Sequence, residues 1–157
     1  MNRRNSSEER FMSRALDLAK MAARQGETPV GAVVVQHGAI IGSGYNRVEA
    51  EIDPTAHAEM IALREAARNR GDWRLPEASV YVTLEPCLMC AVALIHARVK
   101  RLVFGARDHR WGGVGSLFDI SHDPRLNHEI EVVCGVMEEE AVALLQGFFT
   151  SIRKGRP

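Results

Sequence analysis

The feature that most constrains this chain is a set of metal-binding side chains near two predicted helix starts. His57 and Glu59, two positions apart, are followed further along by a Pro-Cys-x-x-Cys segment that contains Cys87 and Cys90. One histidine and two cysteines are typical zinc ligands, and three protein ligands leave the fourth position for water, as in catalytic rather than structural sites. Glu59 remains as a spare carboxylate that can move the proton of that water. The pattern therefore predicts a catalytic zinc site.

The two cysteines are predicted to lie at the start of a helix. Pro86 suits the first helical position, because its missing N–H would have no partner there. Cys87 and Cys90 are three positions apart and so lie on one helix face. The positive end of the helix dipole, together with the metal, favours the thiolate form that binds zinc.

His57 and Glu59 are predicted to lie in the opening turns of a second helix. Asp53 suits its N-cap and Pro54 its first position. Side chains two positions apart on a regular helix point about 200° away from each other. We therefore expect His57 to reach the metal from a less regular first turn, and Glu59 to reach across the pocket floor.

Each of these residues also has an ordinary alternative. A Cys-x-x-Cys pair can be a redox pair, a single histidine can be a hydrogen-bonded core residue, and a helical glutamate usually faces solvent. Their joint occurrence at two predicted helix starts, each preceded by an apolar strand, favours the zinc site. The third cysteine, Cys134, is predicted to be a small buried hydrophobic residue, with a fourth-ligand role as the alternative.

Composition indicates one domain spanning residues 1–157. A chain of this length fits a single core, and no shift in composition divides it. The hydrophobic fraction is 46%, but no apolar run approaches the roughly 20 residues of a membrane span. The N-terminus has no apolar stretch of the secretory type. Three cysteines, two of them assigned to metal, suit the reducing cytoplasm, so we expect a soluble cytoplasmic protein.

The charge distribution leaves a nucleic-acid partner open. The 20 basic and 20 acidic side chains balance, which counts against such a partner. However, the stretch 98–110 holds five bases and one acid, and the tail adds Arg153, Lys154 and Arg156, whereas acids concentrate elsewhere, as at Glu138–Glu140. A local basic surface is enough to hold a few phosphates; charges scattered for solubility are the alternative.

Hydrophobic periodicity and turn residues predict an α/β fold. The first predicted helix opens with a capping box of Ser6 and Glu9. The predicted helices are 6–25, 54–69, 86–96 and 138–152, and the predicted strands are 31–36, 39–42, 79–84, 101–105 and 130–134. A turn at His37 and Gly38 joins the first two strands in a hairpin. Because the later strands follow helices, we expect them to pair in parallel, with helices on both faces of the sheet.

The segment 106–128 is long for a connection in a compact domain, and it contains three glycines. Long ordered loops tend to be functional. His109, Arg110 and Trp111 are therefore candidates to touch a substrate, since nucleobases stack on aromatic side chains. In the alternative, Trp111 only packs beneath the loop.

Several segments together resemble one family, the bacterial tRNA-specific adenosine deaminases, from about Phe11 to Phe149. They are Pro29–Ala32, Gly44–Arg47, Asp53–Glu59, Thr83–Cys90, Gly105–Asp108 and Gly115–Asp119. Deaminases of cytosine, guanine and deoxycytidylate share the zinc pattern. The Gly-Ala-Arg-Asp and Gly-Ser-Leu segments favour the adenosine deaminases.

The resemblance implies a homodimer of the three-layer cytidine-deaminase-like fold, with a five-stranded mixed sheet, acting on a tRNA anticodon stem-loop. The implied reaction is zinc-dependent hydrolysis of the wobble adenosine to inosine. Water attacks C6 of adenine, while Glu59 protonates N1 and then the departing amine.

The resemblance also implies a set of substrate-binding residues. Asn46 would hydrogen-bond the flipped base, Val30 would stack on it, and the backbone at Ala58 would contact it. Asp108 would meet a neighbouring ribose hydroxyl. The full predicted set adds Glu85 from one of the resembling segments, Phe149 at the end of the resembling region, and His109 and Arg110 of the loop.

Two other classes stay open. A deaminase of a free base or nucleotide, such as guanine, cytosine or deoxycytidylate, is favoured by the zero net charge. A non-catalytic zinc-bearing RNA-binding subunit is the second, and the presence of Glu59 argues against it.

Overall fold

A computed structural model describes residues 3–155, and its elements follow the predicted order. The elements are α1 (Arg3–Arg24), β1 (Gly31–Gln36), β2 (Ala39–Tyr45), α2 (Val48–Glu51), α3 (Ala58–Arg70), β3 (Ser79–Leu84), α4 (Leu88–His96), β4 (Arg101–Ala106), β5 (Glu131–Cys134) and α5 (Glu138–Lys154). The short helix α2 was not predicted. Within residues 3–155, no helix combines the length and apolar character needed to cross a membrane.

The five strands form one mixed sheet in the order β2-β1-β3-β4-β5. Strand β1 pairs antiparallel with both β2 and β3, and the pairs β3-β4 and β4-β5 are parallel. The predicted hairpin and the predicted parallel half of the sheet are both confirmed. Parallel strands bring their carboxyl ends to one edge, where the connections to α4 and the segment after β4 begin.

Helices cover both faces of the sheet, as predicted. Alternate residues of a strand point to opposite faces, so Val34 and Val80 pack with α3 and α4, whereas Val33 and Tyr81 pack with α1 and α5. Strands buried on both faces are apolar at nearly every position. This explains why β1 is apolar from Gly31 to Val35.

Helix α3 lies unusually close to β2, and two glycines permit this approach. A Cβ atom on Gly42 would lie 2.3 Å from the Ala62 carbonyl oxygen, and one on Gly44 would lie 2.6 Å from the Ala58 carbonyl oxygen. No larger residue fits at such distances without movement of the backbone. The main chain itself therefore fixes where α3 begins relative to the sheet.

The predicted start of the second helix is wrong by four residues, because α3 begins at Ala58 and not at Pro54. The Asp53 side chain accepts hydrogen bonds from the Thr55 N–H at 2.8 Å and the Thr55 hydroxyl at 2.7 Å. This closes a separate turn, a common alternative to N-capping for aspartate. His57, which follows that turn, becomes the N-cap residue of α3.

Two other predicted helix starts are also displaced. Helix α4 begins at Leu88, so Pro86 lies before the helix and Cys87 is its N-cap. Helix α1 begins at Arg3, so Ser6 lies inside it and is not a capping residue. Because α1 begins before Ser6, the predicted capping box does not lie at the N-terminus of the helix, where a cap would be needed.

Candidate active site

The three predicted zinc ligands meet at the starts of two helices. His57 has an extended backbone (φ −76°, ψ 153°) just before α3, and Cys87 has the same kind of backbone just before α4. Cys90 follows in the first turn of α4. Since His57 precedes its helix, the regular spacing of side chains on a helix does not apply to it. It can face the same cavity as Glu59, as predicted.

The distances between the ligand atoms fit a tetrahedral zinc ion. The His57 Nδ1 atom lies 3.6 Å from Cys87 Sγ and 3.4 Å from Cys90 Sγ. Around an ion with Zn–S of about 2.3 Å and Zn–N of about 2.0–2.1 Å, the N···S edge of a tetrahedron is about 3.6 Å. Among residues 3–155, His57, Cys87 and Cys90 form the only group of three or more histidine, cysteine or acidic side chains whose ligand atoms are close enough to hold a metal.

The protonation chemistry of the ligands suits a cation. A hydrogen bond from Cys90 lowers the pKa of the Cys87 thiol to about 4, and the nearby His57 acts in the same direction. The same contact raises the pKa of Cys90. The hydrogen bond to Cys87 raises the pKa of His57, although burial opposes it. The group therefore holds a thiolate at neutral pH, the form in which cysteine binds zinc.

Glu59 lies in the same cavity but outside the ligand group. It sits in the first turn of α3 and is only 4% exposed. Burial is the main cause that raises the pKa of its carboxyl group. A buried carboxyl with a raised pKa holds a proton more readily than one in water, so it can act as a general acid as well as a general base. Its placement suits general acid-base chemistry beside a metal.

A cavity of about 940 Å³ opens over these residues. Nearly all of the predicted substrate-binding residues line it, from the α1–β1 connection, the end of β2, the connection between β3 and α4, the segment after β4 and the last turns of α5. These are Val30, Asn46, Glu85, Asp108, His109, Arg110 and Phe149. Ala58 is the predicted residue that is not part of the lining; it is fully buried.

Asn46 and Ala58, predicted as two separate contacts to a base, are hydrogen-bonded to each other. The Ala58 N–H donates to the Asn46 side-chain oxygen at 2.9 Å. This bond satisfies one of the N–H groups that the start of a helix leaves without an intrahelical partner. Asn46 therefore ties the end of β2 to the start of α3, besides lining the cavity.

The rim of the cavity is a turn formed by residues 108–111. One Asp108 carboxylate oxygen accepts hydrogen bonds from the N–H groups of Arg110, at 3.0 Å, and Trp111, at 3.2 Å. Trp111 lines the cavity and is 68% exposed. The alternative in which Trp111 packs beneath the loop is therefore wrong, because the turn directs its ring outward.

The predicted buried position of Cys134 is also wrong. Strand β5 is at the edge of the sheet, and Cys134, its last residue, is exposed. Arg107 donates a hydrogen bond to the Cys134 sulfur at 3.3 Å. Cys134 does not belong to the ligand group, so the alternative of a fourth ligand gains no support among the described residues.

The basic stretch 98–110 is divided by the fold. Lys100 pairs with Glu77 at 2.7 Å, and Arg101 is bonded to Glu8 and lies 3.7 Å from Glu131. Among the bases of this stretch, Arg107 and Arg110 line the cavity. The other predicted basic residue group, the tail, ends with Arg156, which lies outside the described residues.

Several lining residues were not predicted. They come from distant parts of the chain or from positions between the ligands: Thr28, Pro54, Leu84, Leu88, Met89 and Leu145. Leu88 and Met89 could have been predicted from the sequence, because they lie between two metal ligands at a helix start and must therefore lie near the metal. The others could not, since only the folded chain brings them to the cavity.

Comparisons with known proteins find similarity to deaminases. The family model of the cytidine and deoxycytidylate deaminase zinc-binding region matches residues 5–106. The chain is similar to a tRNA-specific adenosine deaminase of Haemophilus influenzae, with 49% identity over 96% of this chain and 88% of the relative. It is similar to a solved structure from a study of A-to-I editing by tRNA deaminases at the wobble position of transfer RNA, with 42% identity, a TM-score of 0.84 and coverage of 87% of this chain and 99% of that one. A guanine deaminase from Nitrosomonas europaea is 27% identical, with a TM-score of 0.77 and coverage of 90% and 84%.

Proposed function

This chain belongs to the cytidine and deoxycytidylate deaminase zinc-binding family, and we propose that it deaminates adenosine to inosine at the wobble position of a tRNA anticodon. One observation carries the proposal. The 49% identity with a tRNA-specific adenosine deaminase extends over 96% of this chain, so it includes both ligand helices and the rim. The guanine deaminase, at 27% identity, supports the shared chemistry more than a shared substrate.

The reaction consumes one water and releases one ammonia. His57, Cys87 and Cys90 would hold a zinc ion, which when bound would lower the pKa of a water molecule from about 15.7 towards about 7. Glu59 takes the proton of the attacking water and delivers it to N1 of adenine while the C6–O bond forms. Glu59 then takes the proton of the new C6 hydroxyl group and delivers it to the amine, so that the C6–N bond breaks and ammonia leaves as the C6 carbonyl forms. One carboxylate serves both steps because the metal is bound by other residues.

The pocket walls, and not the metal ligands, decide which base reacts. Cytosine presents the same amidine group as adenine, so attack at the metal cannot distinguish them. Val30 and Phe149 offer apolar surface to a flipped base, and Asn46 offers an amide to its edge. Asp108, His109 and Arg110 on the rim are placed to meet neighbouring nucleotides.

The proposed partner is the anticodon stem-loop, bound by a homodimer. Support for a dimer comes from an exposed apolar surface next to the site, made by α4 and the segment after the rim. Its residues are Leu88, Met89, Val92, Leu117 and Phe118, each at least about one-third exposed. A second copy that covers this surface would remove it from water. The thiolate ligands favour the reducing cytoplasm as the place of action.

The direct test is incubation of the purified protein with an anticodon stem-loop that carries a wobble adenosine. Digestion to nucleosides and mass spectrometry should show inosine at that position. The Glu59→Ala variant, and a stem-loop with adenosine moved one position along the loop, are the controls. Light scattering of the same sample measures the oligomeric state. Rapid deamination of free guanine, cytosine or deoxycytidylate with an unchanged stem-loop would contradict the proposal.

A further inference from the structure

A second buried glutamate, Glu85, has no place in the proposed chemistry. It is 1% exposed and directly follows β3, two residues before the ligand Cys87. Its N–H donates to the Ala106 carbonyl at 2.8 Å, which continues the pairing of β3 with β4. A buried carboxylate needs hydrogen-bond donors to offset its loss of water. The identity of those donors indicates what the residue does.

The donors that hold Glu85 all come from the segment that carries the rim. Its carboxylate accepts from the Asp108 N–H at 3.2 Å, the Val114 N–H at 3.3 Å and the Ser116 N–H at 3.1 Å. The Ser116 hydroxyl donates to it at 2.5 Å. A carboxylate only accepts hydrogen bonds, so it matches four donors, whereas an amide would turn an NH₂ group towards some of them.

The backbone of Gly112 packs closely against the Glu85 side chain. A Cβ atom on Gly112 would lie 2.2 Å from a Glu85 carboxylate oxygen. The Gly113 N–H donates to the Pro86 carbonyl at 2.8 Å, and Gly112 forms an isolated β-bridge with Cys87. The rim is thus fastened to the backbone that also carries the zinc ligand, and Glu85 is the side chain at the centre of that junction.

We propose that Glu85 is a positioning residue which holds the 108–116 segment, and so the rim, over the cavity. It acts on the substrate through Asp108, Arg110 and Trp111 and does not touch the base. This replaces the prediction that Glu85 binds substrate directly. The expected effects on RNA rest on the proposed function. The expected effect on the motion of the rim does not.

The first measurement needs no RNA. The chain has two tryptophans, so in a Trp73→Phe background Trp111 reports on the rim by itself. Glu85→Gln should increase the amplitude of fast motion in the time-resolved fluorescence anisotropy of Trp111. The matched control is Glu27→Gln, because Glu27 is a buried carboxylate that accepts from the Glu49 and Ala50 N–H groups, away from the rim. It should leave the motion of Trp111 unchanged.

The second measurement separates KM from kcat. With the stem-loop as substrate, Glu85→Gln should raise KM about tenfold to a hundredfold through the misplaced rim, with kcat and bound zinc nearly unchanged. Ser116→Ala removes one of the four donors and should raise KM about threefold. If Glu85→Gln does not fold, Ser116→Ala decides by the same two readouts.

Unchanged anisotropy and unchanged KM in the variants would overturn the proposal. A fall in kcat at constant KM would also overturn it, because Glu85 would then act at the reacting atoms. Loss of zinc in Glu85→Gln would overturn it as well, because Glu85 would then act by positioning the ligand Cys87. A zinc-loaded parent that fails to deaminate the stem-loop would refute the proposed function, whereas the anisotropy would still test Glu85.

Discussion

The floor and the rim of the cavity are built in opposite ways. The floor consists of Glu59 and the three zinc ligands at the starts of α3 and α4. Glu59 and Cys90 are buried there, beneath helices that pack on the sheet. On the rim, Trp111 is mostly exposed, and hydrogen bonds to Asp108 hold its turn. The difference indicates that chemistry and substrate recognition are placed in structurally separate regions. Changes to the floor should then alter turnover, and changes to the rim should alter affinity.

The largest effect is expected from removal of a ligand. Cys87→Ala leaves two ligands, too few for a stable zinc site, so zinc should be lost and turnover should become undetectable. Metal analysis by mass spectrometry gives the zinc content of each variant. Cys134→Ala, which removes a cysteine outside the ligand group, should keep about one zinc per chain. An unchanged zinc content in Cys87→Ala would show that Cys87 is not a ligand.

Glu59→Ala should abolish most turnover while zinc and fold remain. General acid-base groups contribute about 10² to 10⁴ in rate, and a group that acts in two steps should reach the upper end of that range. Single-turnover kinetics with saturating stem-loop measure the effect. Glu65→Ala, a change at an exposed glutamate of the same helix, is the control. A near-normal rate in Glu59→Ala would exclude it from proton transfer.

On the rim, Trp111→Ala should weaken binding and spare the chemical step. Stacking of a base on an aromatic ring is worth about 1–3 kcal/mol, so the Kd for the stem-loop should rise roughly tenfold to a hundredfold. Fluorescence anisotropy of a labelled stem-loop measures it, with Trp73→Ala as the control for loss of an exposed tryptophan. An equal fall in kcat would show that floor and rim are coupled.

The smallest effect is expected from charge on the rim. Replacing Arg107 and Arg110 together by glutamine should raise Kd about tenfold at moderate salt and reduce the salt slope by about 0.7 for each lost phosphate contact. Zinc content and the rate on saturating RNA should hardly change. The same change at Arg68 and Arg70, in the last turn of α3, is the control for net charge. Equal slopes in both double variants would reject this docking face.

The zinc ligands and the strands were predictable because their signals are local. Side-chain chemistry and spacing identify His57, Cys87 and Cys90, and short continuous apolar runs bounded by turn residues identify the central strands. The helix starts were less predictable, since Asp53 has two competing uses. It can cap a helix or accept from Thr55 and close a turn, and the second one occurs.

Contacts between residues far apart in the chain could not be predicted from the sequence. The donors to Glu85 lie 23 to 31 positions further along the chain, and no pattern near Glu85 indicates them. The exposure of Cys134 depends on which strand ends the sheet, and that depends on the order of all five strands. Asn46 was correctly placed in the cavity, but its hydrogen bond to Ala58 became visible only in the folded chain.

The close approach of α3 to β2 has a consequence for directed evolution. At Gly42 and Gly44 any side chain would meet backbone atoms of α3 and push that helix, with His57 at its start, away from β2. Residues 109–111 are exposed on the rim, so a change there in size or charge alters contacts with the nucleic acid without disturbing the core. A library selected for activity on a new nucleic acid should therefore accumulate substitutions at 109–111, while both glycines survive every round. The fold thus separates positions available for new specificity from positions that any active descendant must keep.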